Sequence, residues 1–114
     1  MAGRRTRVPR PAVRDEWELR FLKNQAVRGW DEICQQHPEA AARAFDLLRT
    51  NPRQHSDRNH RLKGKLATGY IGGRELERWQ NELTGGGRVI YLIDNENRTV
   101  WFEAAGLGHP KITE

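Results

Sequence analysis

Between Arg88 and Asp94 the chain reads Arg-Val-Ile-Tyr-Leu-Ile-Asp, an unbroken apolar run rich in β-branched residues. Such a short run, bounded by turn residues, predicts a strand. Gly85-Gly86-Gly87 precedes it and Asp94-Asn95-Glu96-Asn97-Arg98 follows it, so the chain turns at both ends. The segment Glu75–Leu83 alternates in part, and Thr99–Ala105 reads as a further strand. Three strands joined by tight turns predict an antiparallel meander.

The N-terminal half has to supply the layer that covers this sheet. Trp17, Leu19 and Phe21 alternate with Glu18 and Arg20, the two-residue period of a half-buried strand. Asn24 can cap a helix to about Gln36, with Val27, Trp30, Ile33 and Cys34 at helical spacing. Gly29 weakens that helix by about 1 kcal/mol relative to alanine. Pro38 suits the first turn of a second helix, Glu39 to about Arg49, with Ala41, Ala44, Phe45 and Leu48 as its apolar stripe. Residues 53–74 lack a clean period and contain Gly64, Gly69, Gly72 and Gly73, so loop with short extended pieces is expected. The fold class is α+β: a strand and a helical hairpin packed on a twisted antiparallel sheet, in the order β-α-α-β-β-β. The hairpin must cover one face of the sheet, leaving the other face or its end open.

Composition bounds the rest. At 114 residues, 36% hydrophobic and 31% charged, the chain suits one domain with a small core. The single cysteine, Cys34, excludes an internal disulfide framework and a Cys-rich zinc site. There is no apolar run of about 20 residues to cross a bilayer. No apolar stretch follows the N-terminal arginines, so a secretory signal is not expected and a reducing cytoplasm is.

The net charge of +5 is unevenly spread. Residues 1–14 hold Arg4, Arg5, Arg7, Arg10 and Arg14 without an acid and are read as a basic flexible arm, with one domain over 15–114. Within that domain, Arg53, Arg58, Arg61, Lys63, Lys65 and Arg74 face only Asp57 in the stretch 53–74. Such a stretch in an otherwise neutral body points to a polyanionic partner.

Several chemistries fall away on spacing. His37, His55, His60 and His109 do not stand at zinc-ligand intervals, so no metal or other cofactor is expected. Cys34 sits in an apolar stripe, where a thiol behaves as a small hydrophobe. Gly85-Gly86-Gly87 lacks the Lys-Ser/Thr of a phosphate loop. Glu75 and Glu77 face no second acidic pair. What remains is a set of His, Lys and Arg: His60, Arg61, Lys63, Lys65, Arg74, Arg78, Arg88, His109 and Lys111. Cleaving RNA through its own 2′-hydroxyl needs little more. Histidine can move the proton near neutral pH, and Lys or Arg can hold the charge growing on phosphorus. Trp79 or Tyr91 can stack an unpaired base. A solvated basic loop and core aromatics explain the same residues without chemistry.

Arg58-Asn-His60-Arg-Leu-Lys63-Gly64 matches an "R-x-H-x-L-K-G" pattern, and Arg78-Trp-Gln precedes Gly-Gly-Gly-Arg88-Val-Ile-Tyr91. With the ending Gly108-His109-Pro110-Lys111, this succession resembles the RelE/ParE superfamily of bacterial toxins from type II toxin–antitoxin systems, in its RelE-like, actinobacterial-type branch. The resemblance implies a cognate antitoxin partner. RelE-type members cut mRNA on the ribosome without a metal, whereas ParE-type members share the fold and poison DNA gyrase. Carried over by position, Lys63, Lys65, Arg78, Arg88, His109 and Lys111 become the catalytic candidates. Arg58, His60, Arg61, Arg74, Trp79 and Tyr91 become the RNA-binding ones. The chain departs from the family in having Thr84 where some members carry arginine, and in lacking a C-terminal tyrosine. The expected function is a ribosome-dependent mRNA endoribonuclease toxin; a gyrase inhibitor and a non-catalytic antitoxin-binding member remain the alternatives.

Overall fold

The computed structural model describes residues 4–6, 8, 11 and 15–108. In chain order the elements are β1 (Glu18–Phe21), α1 (Asn24–Gln36), α2 (Pro38–Thr50), β2 (Asn59–Arg61), β3 (Thr68–Ile71), β4 (Arg74–Glu82), β5 (Arg88–Asp94) and β6 (Thr99–Gly106). A 3-10 turn at Gly64–Ala67 joins β2 to β3. The α+β class holds, and the basic stretch resolves into two short strands around that turn.

The apolar run of β5 takes the centre of the sheet, antiparallel to β4 on one side and β6 on the other, as the meander requires. β2 and β3 share the outer edge of β4, opposite Asn81–Trp79 and Glu77–Arg74 respectively. β1 runs parallel to β6, with Glu18 opposite Thr99 and Phe21 opposite Phe102. A parallel neighbour needs a long crossover, and here the helices and the whole meander lie between the two strands.

Side chains alternate along each strand, so the sheet has two distinct faces. Trp79, Val89, Tyr91, Ile93, Val100 and Phe102 point to the helices and form one core with Trp17, Ile33, Ala41 and Leu48. Each large aliphatic side chain buried there contributes about 1.5–3 kcal/mol. α1 meets the sheet through Ala26, Gly29 and Ile33, while Val27, expected in the stripe, is 43% exposed. Gly29 is the point of closest approach: a Cβ there would stand 1.8 Å from the Ala105 carbonyl oxygen. Beside it, Gln25 Nε2 donates to the Ala105 oxygen at 2.7 Å and Gln25 Oε1 accepts from the Ala105 amide at 3.0 Å. A helix side chain thus continues the pairing of β6 where β1 has ended. α1 starts without the expected cap, since the extended residue before it is Lys23 and no side chain bonds the first turn. α2 opens with proline in its first turn, where the missing N–H costs nothing. None of the described helices is long and apolar enough to cross a membrane.

Candidate functional site

The face turned away from the helices is not bare. Leu76, Ile90, Leu92 and Ala104 on it are buried. What lies over them begins with a β-bulge in β6. Ile90 faces Ala104 but Tyr91 faces Phe102, so Glu103 is the extra residue. Its carboxylate meets the guanidinium of Arg78, at 2.8 Å for Nε–Oε1 and 3.1 Å for Nη2–Oε2. Arg78 is on β4 and Glu103 on β6, so the pair spans β5. Arg78 Nη1 also donates to the carbonyls of Leu66 at 3.2 Å and Thr68 at 3.0 Å, which fastens the loop between β2 and β3 to the sheet. Gly69 makes room for this: a Cβ there would lie 2.7 Å from Leu92 Cδ2 and 2.9 Å from Arg78 Nη2. The open face expected from sequence is therefore roofed at its centre, and its free groups are at the rim.

Arg78 is one of the catalytic candidates. It is 7% exposed and Glu103 is 5% exposed, so the guanidinium is a buried structural clasp. Lys63 and Lys65 flank and enter the 3-10 turn that the clasp holds. Both are exposed, and neither meets a carboxylate among the described residues. His60 lies opposite Gln80, which puts it on the same face. Its Nδ1 is 3.2 Å from the Arg61 carbonyl oxygen. A carbonyl only accepts, so in this contact Nδ1 carries the proton.

The other cations are more engaged. Arg88 Nη2 is 3.3 Å from Glu82 Oε2, and its Nε is buried without a partner among the described residues. Arg58, exposed, stands 3.9 Å from the same glutamate. Arg61 donates from Nε to the Ala67 carbonyl at 3.1 Å. Arg74 binds Asp94 through both arms, at 3.0 and 2.9 Å, and Glu96 at 3.1 Å. The Arg74 hydrogen bond holds the Asp94 carboxyl far below the usual carboxylate range against the opposing effect of burial, with help from Asn97 and Trp101.

Both aromatic candidates prove to be core residues. Tyr91 is fully buried, and its hydroxyl lies 2.8 Å from both the Pro52 carbonyl and Asn59 Oδ1. Burial pushes the phenol well above its ordinary value. Trp79 is 7% exposed and donates from Nε1 to Glu77 at 2.9 Å. The alternation of β4 and β5 sends both rings to the helices, so neither offers a face to a base. Burial also raises the Cys34 thiol above its ordinary value, as expected of an inert thiol. His109 and Lys111 lie outside the described residues, as does most of the arm at 1–14.

Three residues on this face had escaped notice: Glu103, Lys23 and Trp101. Glu103 did carry a signal, an acid inside the run Val-Trp-Phe-Glu-Ala-Ala. Lys23 Nζ lies 3.6 Å from Glu103 Oε2 and had no signal at all, because only the fold brings it there.

No protein-family model matches the chain, and no curated protein matches it. Among solved structures, a toxin from Helicobacter pylori described as metal-bound is similar over 79% of this chain and 92% of its own, at 12% identity and a TM-score of 0.56. That likeness establishes a shared fold. The RelBE2 toxin–antitoxin complex from Mycobacterium tuberculosis is similar over 86% of this chain and 94% of that one, at 21% identity and a TM-score of 0.46. Among the described residues of the present chain, no group of three His, Cys, Asp or Glu side chains is placed to hold a metal ion.

Proposed function

We propose that this chain is the toxin of a toxin–antitoxin pair and that it cleaves mRNA on the ribosome through the 2′-hydroxyl. The observation that carries the reading is a surplus of lysine. Among the described residues of the strands on the face away from the helices, each acid is matched by an arginine: Glu18 by Arg20 at 2.9 Å, Asp94 by Arg74 at 2.9 Å, Glu103 by Arg78 at 2.8 Å and Glu82 by Arg88 at 3.3 Å. Lys63 and Lys65 are left over, on a loop held firm by Arg78. Fixed cations without counter-ions suit a phosphate whose charge increases during reaction.

In this reading a base takes the 2′-hydroxyl proton, the 2′-oxygen bonds to phosphorus, and the bond to the 5′-oxygen breaks as that oxygen is protonated. His60 Nε2 and His109 are the proton-transfer groups, and Lys63 and Lys65 stabilise the phosphorane. The sequence resemblance supports the assignment, and the shared fold is consistent with it. The cognate antitoxin would be the chain's protein partner, with mRNA and the ribosome as its targets.

Primer extension on mRNA after induced expression tests the proposal. Discrete cuts within translated codons are expected, insensitive to a chelator in the purified reaction. They should fall about 10²–10³-fold in a Lys63→Ala/Lys65→Ala variant, the usual cost of removing a charge-stabilising donor. Arrested growth with intact mRNA and broken chromosomal DNA would instead select gyrase poisoning.

A further inference from the structure

The chain has four tryptophans. Trp17 and Trp79 belong to the core under the helices, and Trp30 packs against it. Trp101 is apart from that core. It pairs with Leu92 on one side and Arg20 on the other, which places it on the opposite face. The ring is half-buried, and no aromatic ring or cation stacks on it among the described residues. Its orientation is fixed: Nε1 donates to Asp94 Oδ2 at 3.2 Å, and Asp94 is itself gripped by Arg74 and Asn97. Two exposed cations stand near it, Arg20 in the register position beside it and Lys23 two residues along β1's exit. Glu103, the acid paired with Lys23 among the described residues, already has both oxygens on Arg78.

We propose that Trp101 is the stacking platform for an unpaired base of the bound RNA, with Lys23 holding an adjacent phosphate on the rim opposite Lys63 and Lys65. The arrangement combines a preset aromatic plane with cations on either side, the two elements by which proteins hold single strands without reading sequence. The crossing is short. Trp101, Leu92 and Arg78 lie side by side on β6, β5 and β4, about 10 Å from first to last at ordinary strand spacing. A single strand lying across the Arg78–Glu103 clasp can touch both rims. This inference rests on the reading of the face as an RNA site, but it concerns binding and not bond cleavage.

The test uses the full chain and a 2′-O-methyl oligoribonucleotide of about eight nucleotides, which has no free 2′-hydroxyl and cannot be cut. Binding is followed by anisotropy of the labelled oligomer and by tryptophan emission. Saturation should quench emission in the wild type but not in Trp101→Phe, which keeps a ring without the indole fluorophore. Trp101→Ala should bind about fivefold to a hundredfold more weakly, the usual effect of losing one stacked base. An oligomer with abasic sites should lose a similar factor on the wild-type chain, a measurement that needs no variant to fold. Unchanged emission at saturation, equal affinity for the abasic oligomer, or no binding at all would overturn the proposal. Quenching without any cleavage of ordinary mRNA would leave it standing while removing the ribonuclease reading.

Discussion

Asp94 has no contact with solvent, yet the structure keeps it ionised. Its carboxyl is held far below the ordinary value of about 3.9 by Arg74, so the folded chain resists a proton that the unfolded chain accepts. The resulting stability is fully present above about pH 4 and is lost as the pH falls through the lower folded value. Glu77 adds to the same window, because hydrogen bonds from Arg53 and Trp79 outweigh its burial and hold it below its ordinary value. Urea midpoints measured from about pH 6 to pH 2.5 should fall steeply below pH 4. Asp94→Asn should lie lower at pH 6 and show a shallower acid limb. At this scale the sequence read the charge inventory well and the pairing poorly. Strand alternation is visible in Arg88–Asp94 only as a run of apolar residues, so it did not show that Tyr91 turns to the helices, and the partial alternation of Glu75–Leu83 did not show that Trp79 does so and Arg78 turns away. Arg78→Ala would report on folding before RNA, since breaking a buried ion pair from one side costs about 3–5 kcal/mol.

Gly29 shows how an element can be read correctly for an incomplete reason. Helix propensity alone counts the glycine as a defect, and alanine should then stabilise α1 by about 1 kcal/mol. The packing reverses the sign. A Cβ at 1.8 Å from the Ala105 oxygen meets backbone that cannot rotate away, so the whole helix must lift from β6. Gly29→Ala should therefore lower the urea-derived stability by about 3 kcal/mol, at the upper end of overpacking costs. Local apolar pattern located β1, α1, α2, β5 and β6, because each carries its own. β2 and β3 have none: three and four residues long, they exist because β4 offers them an edge. Nor could a local pattern announce that β1 pairs with β6, since that contact joins residues 18–21 to 99–102.

Among the described residues, the arginines facing away from the helices are neutralised by acids, whereas Lys63 and Lys65 are not. If Lys23, Lys63 and Lys65 each displace a counter-ion, affinity for a single strand should fall with log salt at a slope of about −2, near −0.7 per phosphate. A Lys63→Ala/Lys65→Ala variant should flatten that slope by about 1.4, whereas Trp101→Phe should leave it unchanged. The side-by-side placement of the first and last strands has a consequence for synthesis. A chain leaving the ribosome carries Leu19 and Phe21 out early and must leave their strand without its neighbour until residues 99–102 have emerged. Glu103 arrives in that same final segment, and Arg78 has no counter-charge before it does.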